Sequence, residues 1–151
     1  MVDITANAFN IVSKLIEKRE SLFESHGFVL TEKTVNNLPG GGRFLQYDFR
    51  NNQKNLTLSL LFVTAADGDG GGFSANLYNA TGGYLNIHDF LQLHGYVAEK
   101  LLFTYTKDVP DFPKYVESFL SMLDRVFSNQ LKPILAGEAW ESTPIDWLGY
   151  K

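Results

Sequence analysis

The chain of 151 residues contains no cysteine. That one absence excludes disulfides, zinc–thiolate sites, iron–sulfur clusters and thiol nucleophiles together. It fits a reducing compartment, and a cytoplasmic location is the expectation. Long apolar runs are missing as well. No stretch approaches the roughly 20 residues that a membrane-spanning helix needs. The opening "MVDITANAFNIV" has neither a basic n-region nor an apolar h-region, so no secretory signal is predicted. Positive charge is scarce: 13 Lys and Arg stand against 17 Asp and Glu, for a formal net charge of −4. Nucleic acids and anionic membranes recruit clustered Lys and Arg. Neither is an expected partner, whereas a basic protein surface is compatible with the charge.

What is present is apolar and aromatic. Hydrophobic residues make up 44% of the chain, with 12 Phe and seven Tyr. A domain of this length buries about 68–70% of its unfolded surface. It can therefore fold without a disulfide or a metal. No linker, repeat or low-complexity tract interrupts it, so residues 1–151 are expected to form a single α+β domain.

Phe9, Val12, Leu15, Ile16, Leu22 and Phe23 recur near the helical period, which predicts an amphipathic helix from Thr5 to about Glu24. Asp3 or Thr5 is its expected cap, and Gly27 its expected end. Strand-like runs follow. The first covers Phe28 to Val35. In the second, Leu45, Tyr47 and Phe49 alternate with Gln46, Asp48 and Arg50. That period of two predicts one buried and one wet face. In the third, Leu56, Leu58, Leu60 and Phe62 share a face, and its far end "LLFV" is apolar on both. In the fourth, Phe73, Ala75 and Leu77 alternate with Ser74, Asn76 and Tyr78.

The connections "NNLPGGG", "NNQK" and "AADGDGGG" are too short for parallel crossovers. An antiparallel meander follows. Residues 84–95 fit either a short helix capped by Asn86 and closed by Gly95, or an extension of a strand. A fifth strand is expected over Leu101 to Thr106. Asp111 and Pro113 announce a second long helix, with Tyr115, Val116, Phe119, Leu120, Leu123, Val126 and Phe127 as its apolar stripe. The expected fold is thus α+β: an antiparallel meander of about five strands, with an N-terminal and a C-terminal long helix packed mainly on one face. The last residues, about 137–151, hold both tryptophans and are expected to dock on the body, because unstructured tails are poor in aromatics.

The motifs exclude more than they offer. "DGDGGG" starts like a calcium loop, but Gly71 falls at the fifth ligand position and Tyr78 where the bidentate Glu belongs. No Lys follows the glycines, as a phosphate-binding loop requires. His88 and His94 are six residues apart, on opposed faces of a helix, and do not make a zinc pair. No nucleophile elbow occurs. No catalytic, cofactor or metal residue is therefore expected. A meander does place the first and third connections at one end of the sheet. This rim gathers Asn37, Arg43, Asp67 and Asp69 as candidate partner contacts. Glu138, Trp140, Glu141, Asp146 and Trp147 form a second, aromatic–acidic set in the tail.

The reading that follows is a non-enzymatic protein-binding module. A bacterial immunity or antitoxin protein that occludes a basic toxin surface is the leading form. One alternative is a small-molecule binder or enzyme with a cavity between sheet and helices. Another is an acidic secretion chaperone.

Overall fold

The computed structural model describes residues 4–37, 43–64, 70–96, 99, 101–106, 108–137, 140 and 142. An antiparallel sheet of six strands forms its centre. Its strands are β1 (Val29–Asn37), β2 (Arg43–Asn51), β3 (Leu56–Thr64), β4 (Gly71–Tyr78), β5 (Tyr84–Asn86) and β6 (Thr104–Tyr105). The order is β1-β2-β3-β4-β5, and β6 joins the edge of β4 at the end opposite β5. Among the described residues the α-helices with defined bounds are α1 (Ile4–Lys18), α2 (Glu20–Glu24), α3 (Ile87–Leu93), α4 (Phe112–Ser128) and α5 (Lys132–Leu135).

The alternation of the strands assigns the faces. Leu45, Tyr47, Phe49, Leu58, Leu60, Phe62, Phe73, Ala75 and Leu77 are all buried on one side. Helices cover them: Phe9 of α1 meets Phe62 at 5.6 Å, Phe23 of α2 stacks on Phe49 at 4.3 Å, and Phe119 of α4 stacks on Phe73 at 4.0 Å. Burying one such aromatic side chain stabilises the fold by about 1.5–3 kcal/mol. These rings also fill the space between the layers. Tyr47 is buried to 0% exposure, yet its hydroxyl lies 2.8 Å from that of Ser13 on α1, so its polar tip is satisfied.

Local chemistry sets the boundaries. Asp111 caps α4 by accepting a hydrogen bond from the Lys114 amide at 3.1 Å, and Pro113 occupies the first turn. Val116, Phe119, Leu120, Leu123, Val126 and Phe127 bury its inner stripe. Gly27, at φ +86°, turns the chain from α2 into β1.

Several expectations are corrected. The first helix is broken at Arg19 into α1 and α2, and Thr5 lies inside α1 rather than capping it. Asp3 lies outside the described residues. The strand expected over 101–106 is a 3-10 turn (Leu101–Phe103) followed by the two-residue β6. The ambiguous 84–95 segment contains both elements: β5, then α3, whose Asn86 cap accepts from the Asp89 amide at 2.9 Å. Among the described residues no helix is long and apolar enough to cross a membrane.

Candidate functional site

The face of the sheet opposite the helices carries the other half of every strand. Across it run Glu32, Gln46, Asp48, Arg50, Thr57, Ser59, Ser74, Asn76 and Tyr78. These are cross-strand neighbours by register. Most are tied to one another. Gln46 Nε2 donates to Asp48 Oδ1 at 3.0 Å and to Ser59 Oγ at 3.1 Å. Arg50 donates to Thr57 Oγ1 at 3.0 Å. Asn76 Oδ1 accepts from the Tyr84 hydroxyl at 2.9 Å and from Asn86 Nδ2 at 2.8 Å. Fully satisfied networks of this kind hold their side chains in place. Thr31, Glu32, Gln46, Asp48, Arg50, Thr57, Ser59 and Tyr78 line a shallow depression of roughly 450 Å³ on this face.

Three features of that face are unusual for a surface with no partner. Glu32 and Asp48 are direct register partners, so two acidic residues oppose each other across β1 and β2. Like charges so placed destabilise a sheet. Tyr78 is 40% exposed and its ring lies 5.4 Å from that of Tyr84. Its hydroxyl pKa is raised, first by burial and then by Tyr84 and Asp48. Nearer the rim the face turns apolar. Phe44, Leu61 and Val63 are cross-strand or diagonal neighbours and are only half-buried. The apolar end of "LLFV" is thus accounted for: its outward residues lie on the open face, uncovered by any described helix.

The rim expected from the meander is confirmed by the ladder. Asn37 pairs with Arg43, Arg43 with Thr64, Thr64 with Gly71, and Gly71 with Tyr105. Both glycine-rich connections therefore leave the sheet at one end, although Asp67 and Asp69 lie outside the described residues. Arg43 turns toward the helices. Its guanidinium carbon lies 4.6 Å from the centroid of the Phe9 ring, a cation–π contact. Arg43 Nε and Thr64 Oγ1 are both buried without a hydrogen-bond partner. Each such orphan costs about 1–3 kcal/mol. The sequence gives no sign of this, because an Arg and a Thr at strand ends read as surface residues.

The glycines after Asp69 are more than loop. Gly70 has φ +114°, which disfavours any side chain. Gly71 and Gly72 belong to β4, and a Cβ on either would collide with backbone: the Val63 carbonyl for Gly71, the Phe103 carbonyl for Gly72. Gly71 and Gly72, read from the sequence as part of the connection "AADGDGGG", therefore belong to a tightly packed strand.

In the tail, Trp140 packs against the core, half-buried, and its Nε1 donates to Ser142 Oγ at 2.7 Å. It occupies the space beside Gly83, where a Cβ would approach Nε1 to 2.6 Å. Glu138, Glu141, Asp146 and Trp147 lie outside the described residues. His26 bonds Asp124 at 2.8 Å and His88 lies 3.3 Å from Asp89. Among the described residues no three His, Asp or Glu converge on a metal position.

The chain matches no family model, no curated protein and no solved structure.

Proposed function

We propose that this chain is a protein-binding module without catalytic activity, and that its open sheet face is the docking surface. The supporting observation is the make-up of that face: half-buried Phe44, Leu61 and Val63 and the exposed Tyr78 beside the Glu32–Asp48 pair. The apolar cluster lies at the rim end and Tyr78 at the far end, with the acidic and polar row between them; exposed aromatic and apolar side chains of this kind are where protein interfaces concentrate their binding energy. The paired carboxylates set the sign of the partner, which is basic. A bacterial immunity or antitoxin protein, cytoplasmic and masking a basic toxin surface, is the form that best combines these properties with a net charge of −4.

The test is co-expression with the protein encoded beside this one. The expected result is a complex that survives size-exclusion chromatography and is lost in Leu61→Asp and Tyr78→Ala variants that fold normally. A complex unaffected by both substitutions would move the interface elsewhere. No complex at all, together with a metabolite that raises the melting temperature in proportion to its concentration, would favour the small-molecule reading. That alternative needs a cavity between the layers, where the Phe62–Phe73 and Phe73–Phe119 ring pairs pack at 5.1 and 4.0 Å. The secretion-chaperone alternative predicts binding to an unfolded segment of the partner and none to its folded domain.

A further inference from the structure

We propose that the depression on the open face receives one arginine side chain of the protein partner, held by the Glu32 and Asp48 carboxylates and the Tyr78 ring. This rests on the reading of that face as a docking surface and names its anchor. Glu32 on β1 and Asp48 on β2 are register partners, and both line the depression. Tyr78 on β4 lines its other side and is 40% exposed. The volume, roughly 450 Å³, lies near the lower end of the range of about 300–1,000 Å³ for small-ligand pockets, which suits one long side chain.

The chain's own cation does not fill this place. Arg50 also lines the depression, yet all three of its nitrogens are engaged at the β2–β3 turn. Nε donates to Asn52 Oδ1 at 3.3 Å, Nη1 to Thr57 Oγ1 at 3.0 Å and Nη2 to Asn55 Oδ1 at 3.3 Å. Among the described residues no Lys or Arg forms an ion pair with Glu32 or Asp48. Two carboxylates and one guanidinium leave the depression one positive charge short. The site is also held in place before a partner arrives. Gln46 Nε2 bonds both Asp48 Oδ1 and Ser59 Oγ, and Ser59 is only 5% exposed. Such preorganisation lowers the cost of binding.

The geometry selects arginine over lysine. A guanidinium presents five donors in a planar fork, so it can meet two carboxylates while one flat side rests on an aromatic ring. An ammonium is a compact, strongly hydrated point charge and offers no such plane. Tyr78 supplies the ring, and a cation over a tyrosine face is attracted to it. Burial first, then Tyr84 and then Asp48 raise the pKa of the Tyr78 phenol, so the ring and that carboxylate act on the same space.

The test uses the full chain with ¹⁵N-labelled glutamine, following the Gln46 side-chain amide during titration with N-acetyl-arginine amide at constant ionic strength. The expected result is a shift that saturates with a dissociation constant on the order of 10 mM, from two exposed ion pairs and one cation–π contact. N-acetyl-lysine amide should bind about two- to fivefold more weakly. N-acetyl-citrulline amide keeps the shape without the charge and should give no saturating shift. Glu32→Gln and Asp48→Asn should each weaken the arginine derivative about two- to fivefold. Tyr78→Leu should weaken it by a similar factor, whereas Tyr78→Phe keeps the ring and the affinity. The proposal is overturned if the shift stays linear to about ten times the expected dissociation constant. Equal binding of the lysine derivative, saturation by citrulline, or unchanged affinity in both acid variants would overturn it as well. A complex that forms on co-expression while the arginine derivative fails would remove the anchor and keep the docking face. Saturation by the arginine derivative with no complex on co-expression would do the reverse.

Discussion

Arg43 on β2 and Thr64 on β3 face each other in register, and each buries a polar atom that has no hydrogen-bond partner. The fold carries this cost at the end of the sheet where both glycine-rich connections emerge. The cost makes a first prediction. Thr64→Val keeps the shape of the side chain and removes the orphaned hydroxyl. It should stabilise the protein by about 1 kcal/mol. For a chain of this size that is a rise of about 2–4 °C in melting temperature, read by calorimetry. A fall in melting temperature would mean that the hydroxyl is satisfied after all.

Gly72 makes the second prediction. A Cβ there meets the Phe103 carbonyl, and Thr104 Cα lies 3.1 Å away. These are backbone atoms and cannot swing aside. Gly72→Ala must push β6 away from β4, at a cost of about 1–3 kcal/mol, the usual range for overpacking. A urea melt should show that loss, and hydrogen exchange should show weakened protection at Thr104. Unchanged stability would mean that β6 is not held where the ladder puts it.

The third prediction concerns alkaline pH. Burial raises the Tyr105 phenol to about 12. Tyr115 is pushed higher still, first by burial and then by Tyr105, and its hydroxyl donates to the Leu102 carbonyl at 2.8 Å. In the unfolded chain both phenols ionise near about pH 10. Above that pH the unfolded state holds fewer protons than the folded one, so stability falls as pH rises. The contribution is fully present below about pH 10 and is lost as pH climbs through about 12. Urea midpoints measured across that window should decline, and Tyr105→Phe should flatten the decline.

The legible part of the fold is the part governed by short-range periodicity. The alternation of Leu45, Tyr47 and Phe49 assigns the β2 faces without coordinates, and Asp111 announces its helix by side-chain chemistry alone, whereas the Asn86 cap leaves residues 84–95 open between helix and strand. The residues around 101–106 mislead because an apolar alternation is the same whether it lies flat in a ladder or winds through a 3-10 turn. What decides there is tertiary: β6 must fit against Gly71 and Gly72, which allows only two paired residues. The rim was legible as topology, since a meander fixes which connections share an end. The orphaned atoms of Arg43 and Thr64 were not, because burial at a strand end depends on where Phe9 lands. The open face was legible as polar through Gln46, Asp48 and Arg50, but the register of Glu32 against Asp48 was hidden by the irregularity between Leu30 and Glu32.

That register yields the last prediction. Glu32 and Asp48 oppose each other across β1 and β2, and like charges in that arrangement destabilise by roughly 0.2–1 kcal/mol. Asp48→Asn removes one charge and keeps the oxygen that accepts from Gln46. If the pair only decorates the surface, the variant gains a little stability and loses nothing. If the pair meets a basic partner, the same variant gains stability and loses affinity, mainly through slower association that depends on salt. Glu32→Gln should behave alike, and the double variant should add little further stability, because the first substitution already removes the repulsion. Calorimetry on the free protein and association rates at two salt concentrations measure both quantities on the same preparations. A stability gain together with an association rate that is unchanged at low salt would take the acidic pair out of the interface and leave Phe44, Leu61, Val63 and Tyr78 to carry it.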